Sequence, residues 1–175
     1  MKKLSEVSKR TFVRLLEGDL PVKDFERWVY DNSDSLENEL GTEAHFTLIS
    51  FAYKRAGCFE ELKEMILGYI DTTEFKLWRT KKLLTEIIEN KIDLVLATRK
   101  LRELYLNGCN NFIPVGLGIG YESELDDVPI PSEYIKFQEH EVEEKLKKVN
   151  WYRNNIIKDA RDLLNILNSR DSENM

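Results

Sequence analysis

Residues 149–167 read VNWYRNNIIKDARDLLNIL. In this stretch, apolar or small residues recur at intervals of three, four, four, three and four: Val149, Tyr152, Ile156, Ala160, Leu163 and Leu167. Since an α-helix repeats every 3.6 residues, this spacing puts these side chains on one face. The stretch therefore predicts a helix whose apolar face packs against a core.

The same period recurs through the rest of the chain. Apolar stripes occupy residues 4–16, 59–70, 77–88 and 94–105, and glycines or capping residues separate them. Helices of this length with short joints are typical of bundles. We therefore predict an all-α fold, built as a stack of antiparallel helices or helical hairpins.

Aromatic residues contribute to these stripes. Trp28 and Tyr105 lie at apolar helical positions, which predicts that they are structural and mostly buried. The stretch Phe46–Tyr53 fits a helix by its spacing and a strand by its alternation. Helix and strand both stay open for these residues.

Length and composition restrict the class of protein. The chain has 175 residues, with 26 basic and 32 acidic residues and a net charge of −6. We predict a single domain over residues 1–168 and a frayed tail over 169–175. The acidic balance argues against nucleic acid as a partner, because phosphate contacts need a basic surface.

Cysteine content and apolar runs indicate the compartment. The chain has 2 cysteines, Cys58 and Cys109, which form no Cys-x-x-Cys pair and predict two buried thiols in a reducing compartment. No apolar run is long enough for a signal peptide or a membrane span. We therefore predict a cytoplasmic protein without a membrane partner.

The helical period disappears between residues 109 and 131, where we predict one long irregular acidic loop. Residues 105–144 contain nine acidic residues and one basic residue, a net charge of −8. An uncovered group of like charges repels itself, which favours a role in binding over a role in stability. The predicted partner-binding residues are Tyr121, Glu122, Glu124, Asp126 and Asp127. The alternative is a solvated loop followed by a solvated helix face.

The motifs of catalysis and metal binding are incomplete. His140 begins a His-Glu-x-x-His pattern, but Glu144 stands where the second zinc-binding histidine is needed. The glycines of residues 116–120 have the wrong spacing for a dinucleotide loop, and we interpret them as a flexible or tightly turned loop. No Gly-x-Ser-x-Gly motif occurs. We predict no enzyme activity, no catalytic residue, no cofactor and no metal.

Five short stretches carry a resemblance to a known class of protein: residues 25–30, 48–51, 102–105, 112–116 and 123–129. Their apolar and aromatic patterns resemble small bacterial immunity proteins, which are encoded beside polymorphic toxins, including those of contact-dependent growth inhibition. The resemblance implies a cytoplasmic protein that binds a cognate toxin domain and blocks it. Many such toxins are basic nucleases, and many of their inhibitors are acidic.

These observations together lead to a functional hypothesis. We predict an immunity protein that occludes the substrate groove of a cognate basic toxin domain through the acidic loop, with aromatic residues as anchors. The first alternative is a helical adaptor or scaffold module without a toxin partner. The second is an enzyme with a dispersed site. The oligomeric state does not follow from the sequence.

Overall fold

The secondary structure is entirely helical. The computed structural model describes residues 4–173, and no β-strand occurs within that range. The α-helices are α1 (Glu6–Leu16), α2 (Val22–Asp31), α3 (Ser33–Leu40), α4 (Thr42–Ile49), α5 (Cys58–Leu67), α6 (Thr72–Ile88), α7 (Leu94–Leu104), α8 (Tyr121–Leu125) and α9 (Glu139–Glu173). The predicted all-α fold is confirmed.

Backbone contacts divide the chain into two compact units, and the boundary lies inside α6. Among the described residues, unit 1 comprises residues 4–75 and unit 2 comprises residues 76–173. Helix α9 runs to Glu173, so the last two residues of the predicted tail, 169–175, lie outside the described residues. The single domain over residues 1–168 and the frayed tail stay predictions.

Helix ends lie where the sequence places caps and glycines. The Asp71 carboxylate accepts hydrogen bonds from the backbone N–H groups of Thr73 (2.8 Å) and Glu74 (3.1 Å) at the start of α6. This is the usual way in which a cap satisfies the first N–H groups of a helix. A π-helical turn, Tyr105–Cys109, follows α7 directly, and Gly108 within it adopts the left-handed conformation (φ 91°), which ends this helical run with little steric cost.

Aromatic rings fill the core of unit 1. Phe12 is fully buried, and its ring centroid lies 5.9 Å from those of Phe25 and Trp28 and 6.5 Å from that of Tyr69. Such tilted and edge-on ring pairs stabilise a core beyond the area that they bury. Trp28 is partly buried and packs on this core, which confirms its structural role.

The choice between helix and strand for Phe46–Tyr53 is resolved in favour of the helix. Helix α4 continues to Ile49, and the remaining residues form a turn. The Tyr53 hydroxyl donates a 2.7 Å hydrogen bond to the Leu48 carbonyl near the end of α4. Phe46 projects outward and is 69% exposed.

The apolar stripe of α9 forms part of the core of unit 2. Its members are at most 5% exposed, with the exception of the partly buried Tyr152: Val149, Ile156, Ala160, Leu163 and Leu167. They share one cluster with Leu84 of α6 and Leu101 of α7. The helix predicted from residues 149–167 is therefore confirmed, including the face that it buries.

The predicted irregular loop over residues 109–131 is wrong in its central part. A π-helical turn, Gly116–Gly120, runs directly into α8, and a 3₁₀ helix follows at Pro131–Lys136. A π-helix has a wider turn than an α-helix, so its apolar residues do not recur at the α-helical period. Within residues 110–131, irregular backbone is confined to residues 110–114 and 126–130.

The interpretation of residues 116–120 as a turned glycine loop is also wrong. None of these glycines has a positive φ. Gly118 is buried because the chain passes very close to Tyr105, which packs on the core of unit 2. A Cβ atom at position 118 would lie 2.3 Å from Cδ2 of Tyr105, closer than two carbon atoms can approach.

The two cysteines are buried and free, as predicted. Cys58 in unit 1 is 7% exposed, and its thiol lies 3.1 Å from the Tyr53 carbonyl. Cys109 in unit 2 is fully buried, and burial raises the pKa of its thiol. Each unit therefore holds one shielded thiol.

Candidate functional site

The predicted partner-binding residues lie on α8 and the turn after it, and we call residues 121–127 the acidic segment. Its first residue, Tyr121, fixes the segment to α9. The Tyr121 hydroxyl donates a 2.7 Å hydrogen bond to the Asp159 carboxylate, and its ring meets that of Tyr152 edge-on at 6.0 Å. Burial and the Asp159 carboxylate raise the pKa of Tyr121 to about 12.

Two lysines of α9 hold the other end of the acidic segment. The Asp127 carboxylate lies 3.0 Å from Nζ of Lys145 and 3.2 Å from Nζ of Lys148. Lys145 also donates a 2.8 Å hydrogen bond to the Asp127 carbonyl. These hydrogen bonds lower the pKa of Asp127 below its usual value.

The remaining carboxylates of the segment differ in their surroundings. Glu122 forms an ion pair with Arg102 at 3.3 Å, and its side chain is only 16% exposed. Glu124 accepts a 3.0 Å hydrogen bond from the Tyr152 hydroxyl. Asp126 is exposed and has no hydrogen-bond or ion-pair partner within residues 4–173.

The expectation of an uncovered group of like charges is therefore wrong for three of the four carboxylates. Their partners lie 18 to 28 residues away in sequence, on α7 and α9. The assignment of partner binding to these residues stays a prediction. A partner can bind the Asp126 carboxylate without breaking an internal contact, whereas the other three carboxylates would each lose one.

A groove of about 240 Å³ borders the acidic segment, between Asp126 and Phe137. On its other side, Arg99 donates to the Val128 carbonyl at 3.1 Å and pairs with Glu133 at 3.3 Å. Phe137 is 39% exposed, and the nearby Ile135 is 92% exposed. The groove thus combines the carboxylate of Asp126 with the exposed ring of Phe137.

Trp151 lies on the outer face of α9, one turn beyond Lys148, and is 80% exposed. Lys148, which precedes it by three residues on the same helix, contacts the Asp127 carboxylate of the acidic segment. We call Asp126, Asp127, Phe137 and Trp151 the docking surface. Our sequence prediction did not include Trp151. Its position off the apolar stripe of Val149 and Tyr152 nevertheless indicates that it is exposed.

Exchanging Asp127 for asparagine is expected to reduce the free energy of unfolding at pH 7 by about 0.2–1 kcal/mol, the range for exposed ion pairs. Because the folded-state pKa of Asp127 is lowered, its contribution is present above the unfolded-state pKa and is lost as the pH falls through the folded-state pKa. Urea unfolding of Asp127→Asn and wild type should therefore converge in acid.

The matched control is Asp126→Asn, which removes the adjacent carboxylate. Since Asp126 has no ion-pair partner among the described residues, its replacement should leave the urea midpoint unchanged at pH 7. Equal losses in the two variants would contradict the role that we give to Lys145 and Lys148.

The two histidines lie on different helices, His45 on α4 and His140 on α9. No group of three or more His, Cys, Asp or Glu side chains is placed to hold a metal ion in the described part of the chain. A hydrogen bond of 2.9 Å joins Nε2 of His45 to Oγ of Ser33. No helix within residues 4–173 is long and apolar enough to cross a membrane.

No family model, curated protein or solved structure matches this chain.

Proposed function

We propose that the protein is a cytoplasmic immunity protein that binds a cognate basic toxin domain through the docking surface and blocks it. The observation that carries the proposal is the exposure of Phe137 in the same groove as the carboxylate of Asp126, together with the exposure of Trp151 on α9. The resemblance to immunity proteins of bacterial toxin systems supports the same conclusion.

The docking surface has the composition of a protein interface. Tryptophan is enriched among the residues that dominate binding energy, and an exposed tryptophan exposes a large apolar area to water. Carboxylates at the rim increase the rate at which a basic partner associates. We therefore assign affinity mainly to Trp151 and Phe137 and the rate of association mainly to Asp126.

The test measures binding to the toxin domain encoded by the gene immediately upstream. Trp151→Ala should weaken the affinity by about 30-fold or more, which corresponds to the loss of about 2 kcal/mol expected for a dominant interface residue. Surface plasmon resonance with the purified toxin domain measures this loss. The same variant should also fail to protect cells that express the toxin.

The matched control is Ile166→Ala, which removes another exposed apolar side chain from α9, 15 residues further along. It should bind and protect like the wild type. Asp126→Asn should slow association at low ionic strength, and the difference should shrink in high salt because screening weakens the attraction.

Two outcomes would contradict the proposal. Unchanged affinity in Trp151→Ala would show that the docking surface lies elsewhere. Failure of the wild-type protein to bind or protect against the upstream gene product would reject the immunity function and favour the adaptor.

A further inference from the structure

A second groove lies on unit 2 and shares no lining residue with the groove that borders the acidic segment. It has a volume of about 430 Å³ and lies between the joint of α6 and α7 and the N-terminal half of α9. Its apolar part comprises Ile92, Leu146 and the buried Val149. Lys91, Asn90 and Arg153 form its polar rim. The volume falls in the range of small-molecule sites.

Arg153 has an uncompensated charge at this rim. Its Nη1 donates a 3.2 Å hydrogen bond to Oδ1 of Asn90, a neutral partner. No carboxylate lies within ion-pair distance of Arg153 among residues 4–173. The guanidinium is therefore held in place by an amide that leaves its charge available.

The position of Asn90 is fixed by the end of α6. Asn90 has a left-handed backbone (φ 53°), and the next N–H group, from Lys91, donates a 2.8 Å hydrogen bond to the Glu86 carbonyl. This pattern is the usual closure of a helix C-terminus. The fixed backbone restricts the positions of the Asn90 side chain, whose amide oxygen accepts the hydrogen bond from Arg153.

The other charged groups of the groove have internal partners. The Asp93 carboxylate accepts a 3.0 Å hydrogen bond from the Leu96 N–H group and caps α7. Lys91 lies 2.5 Å from the Glu89 carboxylate. Of the two cations that line the groove, Lys91 and Arg153, Arg153 is the one without an ion-pair partner among residues 4–173.

We propose that this groove binds a small carboxylate with an apolar body of a few carbons. The carboxylate accepts two parallel hydrogen bonds from the Arg153 guanidinium, a geometry that arginine favours. The apolar body lies on Ile92, Leu146 and Val149 and removes their exposed area from water. This site is independent of the docking surface and of the proposed function.

The test titrates the full-length protein with hexanoate and follows the side-chain signals of Asn90 and Arg153 by ¹⁵N NMR. We expect saturable shifts with roughly millimolar affinity, as for a ligand of this size. Arg153→Gln should weaken binding about tenfold or more, and Arg153→Lys should weaken it too, because lysine keeps the charge but loses the planar fork. Hexanol and acetate, which each lack one half of the ligand, should bind more weakly than hexanoate.

Two further variants test whether hexanoate binds at this groove or is attracted by any exposed cation. Arg161→Gln removes another exposed cation of α9 and should leave the affinity for hexanoate unchanged. Asn90→Gly keeps the left-handed backbone but removes the amide that orients Arg153, so binding should weaken by a few-fold. Equal affinity of wild type and Arg153→Gln, or equal losses in Arg153→Gln and Arg161→Gln, would overturn the proposal. So would a titration with inorganic phosphate that binds more tightly than hexanoate.

Discussion

Alanine at position 118 is expected to lower the free energy of unfolding by about 3 kcal/mol, at the upper end of the usual cost of overpacking. The added Cβ would lie 2.3 Å, 2.6 Å and 2.9 Å from Cδ2, Cγ and Cβ of Tyr105. The clash includes the root of the tyrosine side chain, so a rotation of its ring cannot remove all of it. Urea unfolding of Gly118→Ala, followed by circular dichroism, measures the loss.

Gly116→Ala is the matched control within the same π-helical turn. Gly116 is exposed, and a Cβ there meets no atom within 4 Å. This variant should be as stable as the wild type or slightly more stable, because alanine loses less backbone entropy than glycine. A Gly118→Ala variant as stable as Gly116→Ala would refute the close contact with Tyr105.

Truncating Phe12 to alanine is expected to cost about 3–5 kcal/mol, the usual range for a buried phenylalanine. Phe12 is fully buried, and three aromatic rings of unit 1 would lose their common neighbour: Phe25, Trp28 and Tyr69. Thermal and urea unfolding of Phe12→Ala measure this loss.

Phe46→Ala removes the same side chain from the surface of the same unit. Because Phe46 is 69% exposed, its replacement should change the free energy of unfolding by no more than about 0.5 kcal/mol. Similar losses in Phe12→Ala and Phe46→Ala would mean that the aromatic cluster does not stabilise unit 1 in the way described.

The regular helices could be predicted from the sequence because their information is local. The stripe from Val149 to Leu167 follows one period, and Gly108 ends the helical run after α7 through its own backbone conformation. Residues 116–125 could not be predicted in this way. Gly118 is required by a contact with Tyr105, 13 residues earlier, and no local pattern records such a contact.

The candidate site shows the same limit. Its acidic residues are visible in the sequence, but a sequence does not show which carboxylates have partners. Asp126 and Asp127 are adjacent and chemically identical, yet only Asp127 meets two lysines of α9. The exposure of Trp151, in contrast, could be predicted from the sequence, because the position of a residue off the apolar stripe follows from helical geometry alone.

Each unit contains one shielded thiol, whose reaction with a labelling reagent reports when the structure around it opens. A thiol reagent reaches Cys58 or Cys109 only when the surrounding structure opens, so labelling kinetics measure the free energy of that opening. Cys109→Ala leaves the reporter of unit 1, and Cys58→Ala leaves that of unit 2. Equal opening free energies would mean that the chain unfolds as the one domain that its sequence predicts, and unequal values would mean that each unit opens by itself.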